Sequence, residues 1–119
     1  MNQPKPYWIT MKLEPDPDIE APQLKDIAGA NAEIWVFTTS EHDAVEKATR
    51  HIQSCGWRLK EILHVLQPHQ EQLVHLDTQT IRNYQHAEQL GINAHFLAWP
   101  KKERPGRFSV EPLKKSPKK

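Results

Sequence analysis

The 119-residue chain has one cysteine, four glycines and no long apolar run. Each shortage excludes something. With Cys55 alone, no intramolecular disulfide forms, and thiolate-rich metal sites are ruled out. The glycines stand singly, so a phosphate-cradling loop has no material. Neither the dinucleotide glycine fingerprint nor the G-x-S-x-G nucleophile elbow occurs. No stretch approaches the roughly eighteen apolar residues that a membrane span needs. The opening MNQPKPYW has a single lysine and no apolar segment, unlike a secretory signal. These shortages leave a cytoplasmic address as the expectation.

What is present is unevenly charged. The net charge of +1 conceals a segregation. Residues 1–100 carry eight Lys/Arg against thirteen Asp/Glu, whereas residues 101–119 carry eight against two. An acidic domain over 1–100 followed by a basic, mostly disordered tail is therefore expected, with a weak strand-like segment at Phe108–Val110. Such segregation is a flag for nucleic-acid or acidic-partner contact.

Periodicity places the elements. Tyr7, Ile9, Met11 and Leu13 alternate with Trp8, Thr10 and Lys12, which predicts a strand. The run EPDPDIEAP (14–22) is a loop, because proline neither continues a ladder nor sits inside a helix. A short helical turn near 23–28 and a turn at Gly29-Ala30-Asn31 lead into a second strand, AEIWVFTTS. Ser40 can cap a helix with Asp43 in its first turn, a stripe of Val45, Ala48, Ile52 and Cys55, and Gly56 as its stop. Residues 57–66 read as a third strand. Asp77 or Thr78 can cap a second helix with stripe Ile81, Tyr84, Ala87 and Leu90 and stop Gly91. Residues 92–99 are a fourth strand. The order β-β-α-β-α-β predicts an α+β domain, a small ferredoxin-like sheet of about four strands with two helices on one face.

The second strand is apolar on both sides. Helices on one face would take Ile9, Met11, Ile34, Val36, Ala94 and Phe96. The opposite parity then collects Trp8, Thr10, Trp35, Phe37, His95, Leu97 and Trp99, with the indoles at 8, 35 and 99 expected on the side that the helices leave open. Three bare aromatics would present on the order of 600 Å², near the limit that monomers tolerate. Covering that area is worth at most roughly 15 kcal/mol. The cover could be another copy, another protein, a ligand or the chain's own ends.

Catalytic chemistry finds no footing. His69, His75 and Asp77 match no compact zinc spacing, and Cys55 with His51 lacks an orienting group and an oxyanion hole. No catalytic residue, metal or cofactor is expected. The expectation is a non-enzymatic protein–protein interaction module of the accessory, inhibitor or immunity type. It would bind a protein partner or itself, as a homodimer, through Trp8, Trp35, Phe37, His95 and Trp99. A second reading is nucleic-acid binding by Lys101, Lys102, Arg104, Arg107, Lys114, Lys115, Lys118 and Lys119. Base stacking on the sheet could add to it, though the Lys/Arg-Gly-Phe RNA-binding signature is absent. A third is a small enzyme with an aromatic and histidine pocket around His95, closed by a dimer.

Overall fold

The prolines at 15, 17 and 22 punctuate the first third of the chain and separate two long strands. A computed structural model of the chain describes residues 3–101. β1 spans Lys5–Pro15 and β2 spans Ile27–Thr38, with a 3-10 turn at Pro22–Leu24 between them. α1 covers Glu41–Ser54 and β3 covers Trp57–Leu66. A single turn of helix, α2, occupies Gln70–Leu73; α3 runs Thr78–Leu90, and β4 closes at Ile92–Pro100. No helix among the described residues is long and apolar enough to cross a membrane.

The strands make one antiparallel sheet of order β3-β1-β2-β4. β2 and β3 both run opposite to β1, so α1 connects two strands of like direction across β1. The chain must then pass from one sheet edge to the other before β4 begins, and α2 and α3 make that passage.

The helix ends follow their residues. Ser40 Oγ accepts from the Asp43 N–H at 3.1 Å, and Asp77 Oδ1 accepts from the Thr80 N–H at 2.7 Å. Both satisfy N–H groups that a helix start leaves without partners. Gly91, with φ of 93°, supplies the left-handed turn that ends α3 and starts β4 without a loop.

The main core lies between α1 and one sheet face. Ala44, Ala48 and Ile52 of α1 meet Tyr7, Ile9, Met11 and Leu13 of β1 and Ala32, Ile34 and Val36 of β2. Of the residues predicted for that face, Ile9, Met11, Ile34 and Val36 are in the buried core, and Ala94 and Phe96 pack against it half-buried.

Three expectations are corrected. Gly29-Ala30-Asn31 is not a turn but part of β2, which begins at Ile27. The stretch after Pro68 contains α2, and the sequence reading missed it; a helix of four residues has no periodicity to detect. Most consequentially, the two long helices do not share a face. Ile34 and Val36 point to α1, whereas the Trp35 and Phe37 rings meet Tyr84 of α3. Alternation along β2 puts these sets on opposite sides, so the sheet carries one long helix on each face. The ferredoxin-like outline, with two helices on one side, is not the arrangement found; the α+β class is.

Candidate functional site

The five aromatic and histidine residues expected to bind a partner do share a face. Trp8 pairs in register with Trp35, Trp35 with Asn93, Glu33 with His95 and Gly29 with Trp99. Directly opposed residues of an antiparallel pair project to the same side. The parity reading was therefore right. The expectation that this side is open was not, because α3 sits on it.

At the end of the face where β2 exits, the rings close into a cluster. Trp8 and Trp35 stack with centroids 5.0 Å apart and planes 10° from parallel. Tyr84 meets Trp35 edge-on at 5.2 Å and 87°, and tilts against Phe37 at 5.2 Å. Trp35 keeps only 1% of its surface exposed. Ala87, one turn after Tyr84, is fully buried and lets the helix approach the sheet closely. Burial, followed by the charge of Glu88, holds the Tyr84 phenol above its ordinary pKa. Two polar atoms of the same cross-strand row, Trp8 Nε1 and Asn93 Oδ1, are buried without a hydrogen-bond partner among the described residues. The cover that the second face of β2 demanded thus comes, for Trp35, from within the chain.

Beyond Trp8 and Trp35 the face turns polar. The next row is His64, Thr10, Glu33 and His95; the one after is Glu61, Lys12, Asn31 and Leu97. Opposite charges face each other across strands, as Lys12 and Glu61 do, and Arg58 Nε donates to Glu14 at 2.7 Å. That composition explains why α3 covers only one end: there is little apolar surface further along for it to bury. Among the described residues no group of three or more His, Cys, Asp or Glu could hold a metal ion.

Trp99 stands apart from the cluster. It lies six residues along β4 from Asn93, roughly 20 Å at strand rise. Its ring lies over the Gly29 backbone, where a Cβ on Gly29 would meet Trp99 Cζ2 at 2.7 Å. The ring is 38% exposed and its neighbour Leu97 57%. The five residues therefore divide: Trp8, Trp35 and Phe37 belong to an internal cluster, while His95 and Trp99 lie on β4, outermost in the sheet.

The two outer strands differ in kind. β3 carries Arg58, Lys60, Glu61 and His64, and its ladder with β1 is interrupted by two register shifts. Residues 89–100 contain no Asp, Glu, Lys or Arg, and β4 pairs with β2 regularly up to the shift between Ile27 and Gly29. Charges and bulges are the usual guards of a free strand edge. β3 has both guards. β4 has no charge, and the only shift in its ladder with β2 lies near its end.

Of the eight basic residues assigned to nucleic acid, Lys101 is described. Its N–H donates to the Asp26 carbonyl at 2.9 Å and its side chain is exposed. Lys102, Arg104, Arg107, Lys114, Lys115, Lys118 and Lys119 lie outside the described residues, as does the strand-like segment at Phe108–Val110. Compared with protein-family models, with curated proteins and with solved structures, the chain matches none.

Proposed function

We propose that the chain is a non-enzymatic protein-interaction module that acts by strand addition on the outer edge of β4. The observation that carries this reading is the contrast between the two edges. β3 is charged and bulged against pairing, while β4 offers nine residues free of formal charge, with Leu97 and Trp99 exposed. Among the described residues no strand pairs with that edge, so a row of backbone N–H and C=O groups is available for a partner's ladder. Main-chain bonds would supply the affinity, and Leu97 and Trp99 the side-chain contact.

A second copy is the first occupant to test. Two β4 edges can pair antiparallel about a two-fold axis with no like charges brought together, extending the sheet to eight strands. His95 enters this reading only as a β4 residue beside Glu33. Trp35 is enclosed between Trp8 and Tyr84 of α3, and Trp8 and Phe37 are half-buried beside it, which does not support base stacking on the sheet. Nucleic-acid contact is left to the basic residues from Lys101 onward.

The test is the mass of the full chain by light scattering across a concentration series, beside the double variant Leu97→Lys/Ala98→Lys. Both positions are exposed, so the variant retains its core. The expected result is a concentration-dependent dimer in the parent and a monomer in the variant, with equal thermal unfolding of the two at low concentration. A parent that remains monomeric throughout, or a variant that dimerises as well as the parent, overturns self-pairing through β4.

A further inference from the structure

At the opposite end of β4 from Trp99, where β2 leaves the sheet, a cleft of about 370 Å³ separates α1 from the α3–β4 turn. Phe37, Ile92 and Leu90 give it an apolar lining, and Lys47, Arg50 and His51 line its α1 side. The three basic positions follow from helical spacing. Residues 47, 50 and 51 are neighbours at i, i+3 and i+4, so they share one flank of α1. No carboxylate lines the cleft. That is unusual in a domain where acids outnumber basic residues over positions 1–100.

The cations are positioned but not consumed. Lys47 lies 3.2 Å from Asp43, and Arg50 lies 2.9 Å from Glu46. Both carboxylates stand one turn earlier on α1, and both are partly solvated. Exposed pairs of this kind are weak, and each cation has more donors than its partner uses. Asp43 is in turn held by the Thr38 hydroxyl, which keeps it ionised and Lys47 in place at the mouth. Across the cleft, Leu90 is 76% exposed. The sequence pattern assigns Leu90 to the buried stripe of α3, and its exposure at the rim is otherwise unexplained by the fold. Gly91 leaves the adjoining space open, since nothing lies within 4 Å of where its Cβ would stand.

From the apolar lining, the cationic flank and the volume, we infer that this cleft binds a small amphipathic carboxylate. The apolar body lies against Phe37, Leu90 and Ile92, and the carboxylate meets Arg50 and Lys47. A cavity of this size falls in the range that small ligands occupy. An arginine fork can take a carboxylate through two donors, so the charge sets orientation and the apolar wall adds burial. Of β4 the cleft uses only the first residue, Ile92, away from Leu97 and Trp99, and it does not depend on self-pairing.

The experiment is a titration of the ¹⁵N-labelled full chain with octanoate, and in parallel with octanamide, its neutral counterpart of equal length. Octanoate is expected to shift the amides of Phe37, Arg50, Gly91 and Ile92 saturably, and octanamide to bind about tenfold more weakly. The variant Lys47→Gln/Arg50→Gln is expected to weaken octanoate by about the same factor and to leave octanamide unchanged. Equal affinity for the two ligands, shifts confined to other surfaces, or no saturable shift up to about 10 mM octanoate overturns the proposal.

Discussion

Replacing Tyr84 with alanine tests the feature on which the second face depends. Tyr84 is the α3 side chain that meets both Trp35 and Phe37, each at 5.2 Å between ring centroids. The substitution removes two aromatic contacts, worth about 0.5–1.5 kcal/mol each beyond area burial. It also removes the apolar area that the ring takes from water. Full truncation of a buried aromatic costs about 3–5 kcal/mol, and Tyr84 is only partly buried, so about 2–3 kcal/mol is expected. For a domain of this size that lowers the unfolding midpoint by roughly 10–20 °C. Tyr84→Phe keeps the ring and both ring contacts and is expected within about 0.5 kcal/mol of the parent. The assay is urea unfolding followed by tryptophan fluorescence, with near-ultraviolet circular dichroism reporting the Trp8–Trp35 stack. In the alanine variant Trp35 gains solvent and its emission shifts red before unfolding begins. A Tyr84→Ala protein as stable as the parent, with unchanged emission, would refute the placement of α3 over Trp35. It would also return that face to the list of contact surfaces.

Two further outcomes follow from local geometry. Asp43 and Asp77 have pKa values below their ordinary 3.8, the first chiefly through the Thr38 hydroxyl and the second through the Thr80 N–H. A lowered folded-state pKa gives stability that is present above the unfolded value and lost as pH falls through the folded one. Stability is thus expected to decline below about pH 4. Asp43→Asn/Asp77→Asn flattens that decline in a pH series of urea midpoints, and an unchanged slope rejects the assignment. Gly29→Ala places a methyl group 2.7 Å from Trp99 Cζ2 and 3.0 Å from the Leu13 carbonyl. The indole is expected to swing outward, at a cost of about 1–3 kcal/mol, with red-shifted emission lost in Trp99→Leu/Gly29→Ala. Undisturbed emission and stability would show that Trp99 does not rest on Gly29.

How much was legible before the fold was known follows from the range of each signal. Ser40 and Gly91 act within a few residues, and the helix boundaries they predict are the ones found. Strand alternation is equally local, so Ile9, Met11, Ile34 and Val36 were assigned to one face and Trp8 and Trp35 to the other before the partners of either face were known. The pattern also showed that Trp35 and Phe37 require a cover, because apolar area of that size is costly to leave in water. The β4 edge was visible only in part: Trp99 and His95 could be named, but not that β4 is outermost.

The amino-acid sequence by itself determined the four strands and two long helices in outline, the caps of those helices, the two-sided apolar character of β2 and the uncharged run from 89 to 100. Tertiary structure alone decided which helix covers which face. An amphipathic helix specifies a stripe to be buried and not the surface that buries it; the stripes of α1 and α3 suit either side of the sheet. With β3 and β4 at opposite edges, α1 takes the face lined by Ile34 and Val36, and α3 returns across the other. That choice turns three expected contact residues, Trp8, Trp35 and Phe37, into an internal cluster. The uncharged side of β4 is left as the boundary of the sheet, because closure of the sheet depends on strand order, a property of the whole chain.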